Sequence, residues 1–146
     1  MAQLQKTLEM YKSLPVAHSY LGRVYVQKKM FAEAIEEFQS ATTLSGSHPF
    51  YRAWLGYGYA VSGRSREALE ILNQLKQPST GKYVSPYDVA AIWAGLGRKD
   101  QAVKWLQKAY EERAPYFHDI NVEPVFDFLH SDPRFEDLVR RLNSSK

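Results

Sequence analysis

What a side chain can do chemically depends on the neighbours with which it shares a proton, a metal or a leaving group, so the reactive residue types come first. The chain has four histidines, His18, His48, His118 and His130, and no cysteine. The histidines share no metal-ligand spacing, and without thiols there is neither a thiolate metal site nor a disulfide framework. The adjacent pair His118-Asp119 has the makings of a metal-holding dyad, but no further His and Asp stand where they would complete it. It reads as a polar loop. Carboxylates such as Glu33, Glu36 and Glu37 fall in a helical pattern as exposed charges. No Gly-rich phosphate loop, nucleophile elbow or paired-His zinc motif is present. The expectation is a non-enzymatic chain with no cofactor and no metal.

Composition narrows the class. A length of 146 residues suits one domain, and 45% hydrophobic content suffices for a core. A net charge of +3 is small and unclustered, which argues against nucleic acid. No run of about 18 apolar residues could span a membrane, and no basic-then-apolar signal segment opens the chain. A soluble, cytoplasmic protein is expected.

The elements that must position any binding residue are announced by a repeat. Leu21-Gly22 and Tyr25, then Ala34, Phe38 and Ala41, return 34 residues later as Leu55-Gly56, Tyr59, Ala68 and Leu72. They return again as Val89-Ala90, Trp93, Ala102, Leu106 and Ala109. Internal periods of this length mean stacked helical or propeller units. With small residues at Gly22/Gly56/Ala90 and Ala34/Ala68/Ala102, and large apolar ones at Tyr25/Tyr59/Trp93, the unit resembles the tetratricopeptide repeat (TPR). That family implies helix–turn–helix units that approach closely at paired small residues. The copies run 15–48, 49–82 and 83–116, and the whole chain, 1–146, is expected to form a single all-α TPR solenoid of about nine helices.

Pro15 and Pro49 suit the first turn of a helix, which predicts first helices over 15–28 and 49–62 and second helices over 31–44 and 65–76. Gly63 and Gly97 share a frame position and supply the positive φ of a helix-ending turn. Residues 77–82 form a loop by composition, and Ser85-Pro86 caps and opens a helix near 86, partnered by 99–112. Ahead of the first repeat, 1–14 reads as a half-repeat. Its helix, 2–13, has Leu4 at the frame position of Phe38, Leu72 and Leu106, as if the chain were cut from a longer TPR protein. Behind the third repeat, 117–146 reads as a capping tail, because Pro124 interrupts the frame. The tail carries its own duplication: Glu123-Pro124-Val125-Phe126 and Leu129 are echoed by Asp132-Pro133-Arg134-Phe135 and Leu138.

Residues 83–142, with Tyr83 to Gly97, Trp105-Leu106, Ala109-Tyr110 and Asp132-Pro133-Arg134-Phe135, resemble C-terminal TPR regions of multidomain bacterial regulators. These include winged-helix transcription factors, adenylate cyclases and serine/threonine kinases. That likeness implies a docking module joined to an output domain. In TPR arrays the first helices line a concave groove, which maps here to Val16, Ser19, Arg23 and Val26; Phe50, Ala53, Tyr57 and Ala60; and Val84, Tyr87, Ala91 and Ala94. The groove candidates are Ser19, Arg23, Val26, Phe50, Tyr57, Tyr87 and Ala91, with Arg23 and the aromatics as anchors. Tyr20, Trp54 and Trp93 are expected to stabilise the stack.

The resemblance also excludes. Groove positions that clamp a chaperone's terminal carboxylate in one TPR subtype hold Ser19, Trp54, Val84 and Asp88 here, which disfavours that ligand. A mixed, partly apolar inner face disfavours RNA, which a related helical-repeat family reads. The reading is therefore a non-catalytic module that binds a protein or peptide partner, with no nucleic acid and no membrane. Its alternative is homodimerisation through the bare face of helix 2–13. Gly22, Gly56 and Ala90 are expected to face Ala34, Ala68 and Ala102 across each helix pair. Gly56→Leu should overpack that crossing and lower stability by about 1–3 kcal/mol, measured by thermal or urea melts.

Overall fold

The computed structural model describes residues 13–76, 83–114, 117, 120–121 and 123–144. Six helices form three pairs: α1 (Pro15–Gln27) with α2 (Phe31–Leu44), α3 (Pro49–Val61) with α4 (Ser65–Lys76), and α5 (Pro86–Gly95) with α6 (Lys99–Glu111). A 3-10 helix (Pro124–Leu129) and α7 (Pro133–Ser144) follow. The predicted helix 2–13, the loop 77–82 and the pair His118-Asp119 lie outside the described residues.

Each pair packs internally, and α1, α3 and α5 stack in series while α2 and α4 each also touch the first helix of the next pair. Contacts thus run between neighbours in sequence, as in a solenoid. Proline opens α1, α3, α5 and the 3-10 helix, where a missing N–H leaves nothing unsatisfied. Ser85 Oγ accepts the Tyr87 N–H at 3.2 Å, and His48 Nδ1 accepts the Phe50 N–H at 3.2 Å.

The turn inside each pair is one motif used three times. The N–H groups of Met30, Arg64 and Arg98 donate to the carbonyls of Tyr25, Tyr59 and Trp93 at 2.9, 2.8 and 3.0 Å. Those of Lys29, Gly63 and Gly97 donate to Val26, Ala60 and Ala94 at 2.9, 3.2 and 3.0 Å. This is the Schellman closure, which needs a left-handed residue after the helix. The φ values there are +60° at Lys29, +87° at Gly63 and +74° at Gly97.

Small residues matter here in a way that differs from the sequence expectation. A Cβ at Gly22 would lie 2.6 Å from Phe38 Cε1, so the glycine admits the Phe38 ring, and the atoms nearest to it are not those of Ala34. Gly58 in α3 would meet the other edge of that ring at 2.9 Å. Gly56 likewise admits Ile92 at 2.9 Å and Ile71 at 3.1 Å. Ala34, Ala68 and Ala102 are fully buried. The glycines are slots for a neighbour's large side chain.

Lys29 is the one member of the repeated turn whose Cβ opposes the left-handed conformation, a strain of about 1–2 kcal/mol for an L-residue. Lys29→Gly should therefore raise stability by about 0.5–1 kcal/mol, part of the relief being offset by the freer unfolded chain. Urea melts of Lys29→Gly beside Lys29→Ala, which should stay near the parent, check this.

Candidate functional site

The solenoid lays α1, α3 and α5 side by side, which brings Arg23, Tyr57 and Tyr87 toward the tail. Arg23 Nη2 donates to Glu123 Oε2 at 2.8 Å, and the same guanidinium lies 4.5 Å from the centroid of Trp54. Trp54 stacks on Phe38 at 6.0 Å and meets Tyr57 edge-on at 5.5 Å. Further along, Tyr87 packs edge-to-face with Phe126 at 5.4 Å.

Magnitudes separate what orients the tail from what holds it. Arg23 is partly exposed, and an exposed ion pair contributes up to about 1 kcal/mol. Val125, Phe126 and Leu129 are buried, and burying one such side chain stabilises by about 1.5–3 kcal/mol. Apolar burial holds the tail; the Arg23–Glu123 pair sets its register. Burial and then the Glu123 charge push the Tyr57 hydroxyl up to about 12, against the opposing effect of Arg23. It stays neutral at physiological pH. Burial pushes the Asp88 carboxyl up to about 7, so a position that would need a cation to clamp a terminal carboxylate holds a half-buried acid.

These contacts redistribute the residues singled out from sequence. Ser19, Val26, Tyr57, Tyr87 and Ala91 are all buried, which takes them off the open surface. Tyr87 meets the tail and Tyr57 packs against Trp54. Phe50 is half-buried, edge-on to Tyr51 at 5.0 Å. Three of the seven, Arg23, Val26 and Tyr57, border one opening, and of these Arg23 is the most exposed. That opening, about 200 Å³, is bordered by Tyr20, Arg23, Val24, Val26 and Gln27 on α1, by Trp54 and Tyr57 on α3, and by Glu123, Pro124 and Val125. Tyr20, expected in the stack beside Trp54, is exposed instead, because no second helix among the described residues lies over it. Glu123 and Phe126 were not recognised as groove residues. Their apolar spacing was visible, but nothing in a period tells which way a chain turns after the repeat ends.

Among the described residues no group of three or more His, Cys, Asp or Glu side chains converges as metal ligands, and no helix is long and apolar enough to cross a membrane.

With this geometry in place, the relatives agree with the fold. Residues 20–48 match the tetratricopeptide repeat profile. The human Protein O-mannosyl-transferase TMTC1 is 30% identical over 109 residues, which covers 70% of this chain and 12% of that protein. Superkiller protein 3 of Schizosaccharomyces pombe is 30% identical over 97 residues, covering 66% of this chain and 7% of that protein. No solved structure matches significantly. Residues 20–48 are a tetratricopeptide repeat, a unit that in general forms protein-interaction modules, and the chain spans a small fraction of the curated relatives it matches.

The tail is pinned at its far end by Asp132, which caps α7. Its Oδ1 accepts the Arg134 N–H at 2.8 Å, while Arg134 Nη2 donates both to Asp132 Oδ2 and to Asp100 Oδ1 on α6 at 2.8 Å. The Arg134 side chain, and then its backbone N–H, hold the Asp132 carboxyl down to about 2 against the effect of burial. A carboxyl depressed on folding contributes its stability above the ordinary value of about 4 and loses it as the pH falls through the folded value. Asp132→Ala should therefore destabilise by about 1 kcal/mol at pH 7. In urea melts at stepped pH, the gap from the parent should narrow between about pH 4 and pH 2.

Proposed function

We propose that this chain is a non-catalytic docking module that takes a short stretch of a partner protein at the open end of its concave face, beside Arg23. The observation that carries this is the Arg23 guanidinium, seated on Trp54 and tied to Glu123, at the edge of an opening of about 200 Å³ that exposed Tyr20 also borders. Arginine and aromatic residues anchor interfaces because each combines apolar area with a polar handle. Glu123 leaves the guanidinium partly exposed, so an acidic side chain or terminal carboxylate of the partner has donors to reach. The remaining wall accepts an apolar side chain next to that acid.

The module belongs, on this reading, to a larger regulatory protein. The likeness of 83–142 to docking regions of bacterial regulators supports that, and so does the small share of each relative that the chain covers. One of those relatives is a transferase by name, but the chain matches only 12% of it.

Peptide-display selection on the intact chain tests the proposal. Selected peptides should carry an acidic residue beside an apolar one, and Arg23→Glu should weaken them about tenfold or more, while Arg66→Glu on the exposed side of α4 leaves them unchanged. Thermal melts confirm that both variants fold. Selected peptides indifferent to Arg23→Glu would refute this site.

A further inference from the structure

The tail meets Arg23 through a contact that is built to be replaced. Arg23 and Glu123 stand 100 residues apart in sequence and pair at 2.8 Å, their side chains 40% and 13% exposed. The contact hangs on a side chain. Glu123 sits in extended backbone just ahead of Pro124, with φ −73° and ψ 118°. Rotation about its side-chain bonds releases the guanidinium while Phe126 and Leu129, both fully buried, keep their places. Nor does Arg23 depend on Glu123 for its orientation. Its guanidinium also lies 4.5 Å from the centroid of the Trp54 ring, and Trp54 is itself fixed by Phe38 and Tyr57.

We propose that Glu123 is a built-in occupant of the Arg23 site, and that a partner peptide binds by setting its own Asp or Glu carboxylate in Glu123's place. This rests on the docking function proposed above and adds what holds the site until a partner arrives. Glu123 takes one nitrogen of the guanidinium, Nη2. A carboxylate free to approach in the plane of the fork engages two, which is the stronger arrangement. Exchanging one partly exposed ion pair for another loses little, because such pairs are weak. The exchange strands no charge either, since the displaced carboxylate turns out beside the exposed Pro124. The Tyr57 hydroxyl on the same border is kept neutral by burial and by the Glu123 charge, so it adds no repulsion. Trp54 holds the guanidinium in readiness throughout, and a site ordered before its ligand arrives spends less binding energy on ordering. Glu123 thereby sets a threshold. A peptide without an acid leaves the pair intact, and one with an acid has to outcompete a carboxylate already seated.

Competition with a resident carboxylate has a signature in binding. Peptides selected by display on the parent chain and, separately, on the Glu123→Gln chain are synthesised with amidated C-termini and titrated against both. Glu123→Gln should tighten acidic peptides about tenfold or more, and replacing the peptide's acid by its amide should abolish the gain. Asp127→Asn removes the same charge from an exposed position of the tail that does not touch Arg23, and should change affinity by less than about twofold. Glu123→Ala repeats the comparison if thermal melts show Glu123→Gln unfolded. Peptides that depend on Arg23 yet bind the Glu123→Gln chain no more tightly would overturn the exchange and leave the docking site standing. An equal gain from Asp127→Asn would overturn it too, because the effect would then be one of net charge. Peptides indifferent to Arg23 on both chains, or no selected peptide on either, would overturn the exchange and the docking site together.

Discussion

One aromatic ring supports the register of the first two repeats. Phe38 leaves α2 and enters a slot that exists only because position 22 on α1 and position 58 on α3 carry no Cβ, and Trp54 closes the slot from the α3 side. Close-packed interiors transmit a misfit of even one methylene. The ring therefore fixes how α1, α2 and α3 stand relative to one another, and this in turn decides where Arg23 and Tyr57 are held. Ile92 repeats the device one junction later, entering at Gly56. The helices are amphipathic, but amphipathicity alone would leave them free to slide; the slots remove that freedom.

The tail shows how an array with few repeats completes its inner surface. The first helices carry apolar residues on the side that the tail meets, and Val125, Phe126 and Leu129 are buried. The far end is tied down by the Asp132–Arg134–Asp100 cluster. A site that looked open from sequence is thus mostly interior, and the polar group left at its edge is Arg23, held in place by contacts on two sides.

Much of the fold was legible in the sequence because local rules and period agreed. Pro15, Pro49 and Pro86 mark helix starts within a residue, and Gly63 and Gly97 mark the turns. Lys29 shows the limit: the same turn forms there with a residue that opposes it, because the closure supplied by Met30 and Tyr25 outweighs the local preference. The partner of each glycine was not legible. A period identifies small positions but not which neighbour fills them, and here the nearest side chain is Phe38 at Gly22 and Gly58, and Ile92 with Ile71 at Gly56. The site was half legible. Arg23 and its aromatic surroundings follow from the frame, whereas Glu123 and Phe126 reach the face through a 3-10 segment that no period describes.

The slots also redefine the portable piece of this architecture. Phe38 needs Gly22 before it and Gly58 after it, and Ile92 needs Gly56 from the preceding unit. A cut at the boundary suggested by periodicity, between Ser47 and Pro49, separates a ring from one of its two slots. A cut in the tight turn near 29 parts Phe38 from Gly22, and one near 63 parts Gly56 from Ile71 and Ile92, so the piece that keeps every slot with its occupant runs from α1 through α5.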